Sequence, residues 1–237
     1  MGGFYYYGID SLYIYLVVPA IIIMLWSQIR VKTVFSKYST HHSPLTGADA
    51  ARRVLEANGV YNVKIERVSG NLTDHYDPRT NVIRLSDSVY GANNLSVKDA
   101  VAALGVAAHE AGHAVQYSKG YVPIKVRSVI LPVCNLGSQL SMPLLIIGLI
   151  FDFYFLVKLG VIFFCVALLF QLLTLPIEFN ASHRALVTLD SSGLIREDEK
   201  KAVHRVLSAA AMTYVAALLV SLTQLIRLLA ITKRNRR

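Results

Sequence analysis

Four apolar runs, set apart by two polar stretches, organise this chain. Residues 11–29 read SLYIYLVVPAIIIMLWSQI, and about 19 mostly apolar residues span a bilayer as a helix. Arg30, Lys32 and Lys37 follow the run, whereas Met1 to Asp10 holds no Lys or Arg. That order predicts an uncleaved anchor with its N-terminus outside, not a signal peptide. Pro19 is tolerable in a membrane helix, and Tyr5, Tyr6, Tyr7, Tyr13 and Tyr15 suit the outer interface. Val129 to Phe151 and Phe153 to Ile177 form two further runs separated only by Asp152, with Lys158 the sole interruption. So short a connection predicts a transmembrane hairpin. Ala209 to Ile231 is the fourth run, ahead of Lys233, Arg234, Arg236 and Arg237.

The stretch between the first two runs carries shorter signals. Thr46 is placed to cap a helix reaching about Asn58, ended by Gly59. Val63 to Val68 alternates as a strand does, and Ser69-Gly70-Asn71 reads as a turn. A second strand is predicted over Asn81 to Leu85, after the turn Asp77-Pro78-Arg79. Ser96 with Asp99 forms a variant capping box for a helix over about 97–118, which Gly120 stops. Residues 178–208 are polar, with a helical pattern after Arg196.

The expected fold class is a mainly α membrane protein. About four transmembrane helices accompany a small α+β zincin-like cytoplasmic domain. Its expected parts are an N-terminal transmembrane helix (1–30), the cytoplasmic domain (31–128), the hairpin (129–177), a cytoplasmic segment (178–208) and a C-terminal transmembrane helix with a basic tail (209–237). One conflict stays open. If every run crosses, the two basic polar stretches share the inside and the basic C-terminus lies outside, against the positive-inside tendency. The alternative lays 209–231, with Gln224 and Arg227, partly against the protein or the interface.

Composition agrees with the membrane reading. Of 237 residues, 54% are hydrophobic and 16% charged, and mean hydropathy is +0.46. Soluble domains carry roughly 25% charged residues. The net charge of +9 fits basic loops facing anionic lipid, and no nucleic-acid motif is present. Cys134 and Cys165 fall in apolar runs and read as packing residues, not a disulfide.

The chemistry lies in His109-Glu110-Ala111-Gly112-His113. Histidines four apart share one helical face, so both imidazoles reach one tetrahedral zinc while the adjacent glutamate acts on a zinc-bound water. The competing reading is two surface histidines and an ordinary glutamate. Ala107, Ala108, Ala111 and Gly112 are small, which leaves room for a metal and for a neighbouring helix. A catalytic zinc needs a third protein ligand. His75, His183, His204, Glu178 and several aspartates are candidates. Glu178 is preferred because the hairpin returns the chain to the side of the HExxH helix.

HEAGH on one helix, with a later glutamate in E-F-x-A-S, resembles the YugP-like neutral zinc metallopeptidases. The stretches LTDHYDPRTNVIRLSDSVY, LPIEFNASHRA and AAAMTYVAALL carry the resemblance over most of the chain. The family is distantly similar to the membrane CAAX prenyl and heat-shock endopeptidases, which use HExxH plus a distal glutamate. The resemblance implies one zinc ion per chain held by His109, His113 and Glu178, with Glu110 as general base. Asn180 stands where aspartate is expected in relatives, and is a candidate partner behind the ligands. Ser182 replaces an aspartate of the distant families. His183, Arg184 and His75 are candidate oxyanion or substrate contacts. A strand, 63–68 or 82–85, could take an extended peptide at its edge; otherwise the two form a plain hairpin.

These features predict a zinc-dependent endopeptidase of the cell membrane, acting on protein or peptide substrates from the cytoplasmic side, with membrane-protein quality control a role that suits the location. The non-enzymatic alternative is a zinc-binding scaffold or partner-regulating protein. A transporter is disfavoured, since no apolar run carries two central charges.

Overall fold

The computed structural model describes residues 11–41, 43–70, 73–91 and 100–234. Tyr5, Tyr6 and Tyr7, Asn71 of the expected turn, the Ser96 and Asp99 cap, and Arg236 and Arg237 lie outside the described residues. The chain forms two compact units. One comprises Met1–Gln28, Val126–Leu175 and Met212–Arg237; the other comprises Ile29–Lys125 and Pro176–Ala211.

The first unit is helical. A π turn over Tyr13–Val17 leads into α1, Val18–Tyr38, and the Val18 N–H reaches back five residues to the Tyr13 carbonyl. Pro19 lacks an N–H and its ring crowds the carbonyl four residues before it, and the wider turn just ahead accommodates both. Two long helices follow in the chain, α5 (Val122–Ile150) and α6 (Tyr154–Ser191), and α7 (Glu197–Arg234) ends it. These four helices are long and apolar enough to cross a membrane. Between α5 and α6 the chain reverses at Asp152, whose φ is 51°, with the Phe153 N–H closing on the Gly148 carbonyl at 2.8 Å. Aspartate tolerates this left-handed backbone better than most residues. Small residues let the hairpin arms meet, and Ser141 Oγ donates to the Gly160 carbonyl at 3.0 Å. Large apolar side chains such as Ile22, Trp26, Val133, Ile162 and Leu229 remain exposed, as a lipid-facing surface requires. Cys134 and Cys165 are free thiols.

The end of α7 is placed by two contacts. Leu228 packs with Leu145 and Val157 of the hairpin, and the Arg227 guanidinium lies 5.0 Å from the Tyr13 ring. Near its end, the last apolar run therefore packs with the hairpin and lies close to the start of the first helix.

In the second unit, α2 (Gly47–Ala57) starts at Thr46, with a complete capping box to Asp49. It stops at Gly59, φ 72°, with Gly59 N–H to Glu56 and Val60 N–H to Leu55, the Schellman pattern. Strands β1 (Lys64–Val68), β2 (His75–Asp77) and β3 (Val82–Ser86) follow, then a single turn α3 (Asp87–Tyr90) and α4 (Val101–Ser118). The sheet order is β1-β3-β2. β1 runs parallel to β3, with Ile65 opposite Ile83, and β2 runs antiparallel, with Tyr76 opposite Ile83. Two expectations change here. The strands at 63–68 and 82–85 do not make a hairpin with each other; β2 and β3 do. As the central strand, β3 also has no free edge for an added peptide.

α4 begins at Val101 rather than near 97, because Ala100 is extended at φ −92°, ψ 139°. The Val101 N–H bonds instead to the His41 carbonyl at 3.0 Å. α6 continues as a helix through Pro176 to Ser191, where the sequence suggested helix only after Arg196. The buried face explains the continuation: Ile177, Ala181, Ala185 and Leu189 have no exposed surface and repeat at helical spacing. Ile83, Leu85, Val54, Leu104, Leu189 and Val203 join one core. Each large apolar side chain buried there contributes roughly 1.5–3 kcal/mol.

One close backbone approach in this core is α4 against α6. A Cβ on Gly112 would lie 2.5 Å from the Ala181 carbonyl oxygen, whereas one on Gly105 would meet Val203 at an ordinary 3.5 Å. Gly112→Ala is therefore expected to destabilise the protein by about 1–3 kcal/mol through overpacking. Gly105→Ala should be neutral or stabilising, since alanine favours helix by about 1 kcal/mol. Thermal unfolding in detergent compares the two, and equal melting temperatures would contradict the close crossing.

The β2–β3 hairpin supplies a pH dependence. Asp77 accepts from Thr80 Oγ1 at 2.8 Å, the Arg79 N–H at 2.9 Å and Arg84 Nη1 at 3.1 Å. The bond from Thr80, then those from Arg79 and Arg84, lower its carboxyl to about 2. A depressed folded-state pKa stabilises above the unfolded value, near 4, and that stabilisation is lost as pH falls towards about 2. Asp77→Asn should thus lower the melting temperature at neutral pH, with the difference closing between pH 4 and 2. A difference independent of pH would refute the assignment.

Candidate metal centre

One helix carries the histidine pair and another brings the carboxylate to it. His109 and His113 stand one turn apart on α4, their ring centroids 4.7 Å apart and their planes at 81°. Glu178 on α6 is 3% exposed. Its Oε2 lies 3.2 Å from His109 Nε2 and 3.5 Å from His113 Nε2. The close helix crossing at Gly112 and Ala181 makes this meeting possible. Among the described residues, His109, His113 and Glu178 are the group whose ligand atoms converge, all within 4.8 Å of one another.

The donor set fits zinc. A tetrahedral ion with bonds of roughly 2.0–2.1 Å has ligand-to-ligand edges of about 3.3–3.4 Å, close to the two separations above. Each ring also turns its other nitrogen to a fixed partner. His109 Nδ1 is 3.0 Å from Ser182 Oγ, and His113 Nδ1 is 3.1 Å from Gln116 Oε1. Both Nε2 atoms are thereby directed at one point. The electrostatics agree. Burial lowers the pKa of His113, but the bond to Glu178 and the charges of Glu110 and Glu178 outweigh it and raise the pKa overall. The cluster favours a positive charge at its centre.

Glu110 faces the sheet. Its Oε2 accepts the Tyr76 N–H of β2 at 2.9 Å, and the Tyr76 hydroxyl donates to Asn81 at 2.8 Å. Desolvation around the Tyr76 hydroxyl, with the nearby Tyr117 and Asp77, raises its pKa to about 12. Behind β2, Asp74 accepts from the Ser86 N–H at 2.7 Å and from the Ser86 hydroxyl. Burial raises its pKa, and the Glu110 charge adds to the effect.

The other candidates lie elsewhere. His75 is exposed on β2, its Nδ1 2.8 Å from the Thr73 carbonyl oxygen. His183 lines a small cavity of about 210 Å³ with Phe179, Leu186, His204 and Leu207. Arg184 Nε donates to Asn180 Oδ1 at 2.7 Å, and its guanidinium is 5.9 Å from the Tyr121 ring. Asn180 is joined to His113 through Gln116, whose Nε2 donates to it at 3.0 Å. Sequence reasoning missed Gln116 and the Tyr76 N–H. A glutamine three residues after His113 shares its helical face, the one signal that could have pointed to it.

The chain matches the family described as "Putative neutral zinc metallopeptidase" over residues 13–233. It is 45% identical over 227 residues to the "Putative membrane protease YugP" of Bacillus subtilis (strain 168), covering 95% of this chain and 98% of that protein. No solved structure matches it. With the match extending over nearly the whole chain, this protein belongs to the neutral zinc metallopeptidase family.

Proposed function

We propose that this protein is a membrane zinc endopeptidase of the HExxH-plus-distal-glutamate type. His109, His113 and Glu178 hold one zinc ion per chain, and Glu110 is the general base. The observation carrying this reading is the convergence of two Nε2 atoms and one carboxylate oxygen from different helices. Zinc bound there supplies Lewis-acid polarisation of the scissile carbonyl and of water.

The chain's own residues supply the rest. Glu110 takes a proton from the attacking water and returns it to the leaving amine. The Tyr76 N–H fixes one of its oxygens, leaving Oε1 for that transfer. Ser182 and Gln116 hold the imidazoles in register. β2 is an edge strand of the sheet, and its outward N–H at Tyr76 already borders Glu110. An extended protein or peptide substrate laid along this edge would bring its scissile bond to the base. Arg30, Lys32 and Lys37, placed directly after the first apolar run, support a cytoplasmic site in the cell membrane. Turnover of membrane proteins suits that location.

Glu110→Gln should keep its zinc and lose about 10²–10⁴-fold in turnover, whereas His113→Ala should lose the metal. Metal content and cleavage of casein or a membrane protein, measured on the detergent-solubilised full chain, read both out. Undiminished cleavage by Glu110→Gln would sink the role given to Glu110.

A further inference from the structure

A row of hydrogen bonds behind the metal cluster can be read in one direction only. It starts at Arg184, a side chain with donors and no acceptor. Its Nε points at Asn180 Oδ1, 2.7 Å away, so that atom must be the amide oxygen. Gln116 meets the same oxygen at 3.0 Å and the Ile177 carbonyl at 2.9 Å. Both are acceptors, so both hydrogens of the Gln116 amide are committed. Only its oxygen remains for His113, 3.1 Å away. An oxygen there requires a hydrogen on His113 Nδ1.

We propose that Gln116 is a positioning residue: it accepts the Nδ1–H of His113 and so leaves Nε2 as the atom of that ring which binds the metal. The proposal rests on the zinc reading above. Gln116 is fully buried, so neither water nor a rotated amide can replace it at low cost. The two histidines differ in this respect. Ser182 Oγ, the partner of His109 Nδ1, can donate or accept and does not by itself select a tautomer. Arg184 acts at a distance, by fixing the amide of Asn180.

The test is zinc affinity, measured by chelator competition on the detergent-solubilised full chain. Gln116→Leu should weaken zinc binding about 10–100-fold, the usual cost of removing a partner behind a ligand. Arg184→Met lies on the partly exposed end of the row and threatens folding less; it should weaken zinc in the same direction and by less. In zinc-loaded wild type labelled with nitrogen-15 histidine, His113 should carry a slowly exchanging hydrogen on Nδ1, with the metal on Nε2. Wild-type affinity in both variants, or the hydrogen on Nε2, overturns the proposal. The ring measurement decides it if Gln116→Leu does not fold. A wild type that takes up no zinc refutes the metal reading itself, whereas unchanged affinity in the variants refutes only the role of Gln116.

Discussion

The contact between the backbones of α4 and α6 is the constraint on which the site depends. With no side chain at Gly112, the Ala181 carbonyl fits where a Cβ would otherwise stand. Only at that separation does a side chain as short as glutamate reach both imidazoles one turn up and down the facing helix. Ala181, Ala185 and Leu189 continue the seam without exposed surface. Packing and chemistry are therefore one problem here. The small residues around the histidine pair set the distance between helices, and that distance determines whether three ligand atoms converge.

Around this seam the sheet has a local task. β3 is held on both sides, and β2 presents one backbone N–H to Glu110. A carboxylate beside two histidines on a helix could adopt several rotamers. Anchoring one oxygen to a strand selects among them, and does so with a backbone group that no substitution removes short of proline. Asp74, behind the same strand, fixes the start of α3 through Ser86. The strand that borders the site is thus tied at both ends of its short length, by Asp74 before it and by the Asp77 turn after it.

What could be read from the sequence followed from local rules. Thr46 and Gly59 bound α2 because caps and left-handed stops are set by neighbouring residues. The apolar runs give the four long helices because length and hydropathy are properties of a segment. The pairing of His109 with His113 needs only the pitch of one helix. What escaped depends on distant chain. β2 has three residues, too few for a periodicity, and exists because β3 and Glu110 use its two edges. The helix past Pro176 looked polar, and its buried stripe becomes visible only once the partner helix is known. Gln116 looked like an ordinary polar residue near a helix end, since its hydrogen-bond partners Ile177 and Asn180 are more than sixty positions away. Glu178 fell between these cases: resemblance and the hairpin pointed to it, but its approach to the histidines is a fact of helix crossing.

The one-way order of the row from Arg184 to His113 has an evolutionary corollary. An acceptor placed at 184 would turn Asn180 around, and Asn180 would then press its donor against that of Gln116. An exchange that puts an acceptor where the row has a donor therefore sets two like groups face to face, whereas aspartate at 180 still accepts from both sides and keeps the row's direction. Exchanges at 116, 180 or 184 that reverse a donor or an acceptor should accordingly be accompanied by a change at a neighbour among related chains, while aspartate at 180 needs none. A glutamine that looks incidental beside HExxH would then be a member of an inherited group, separate in the sequence and joined in the fold.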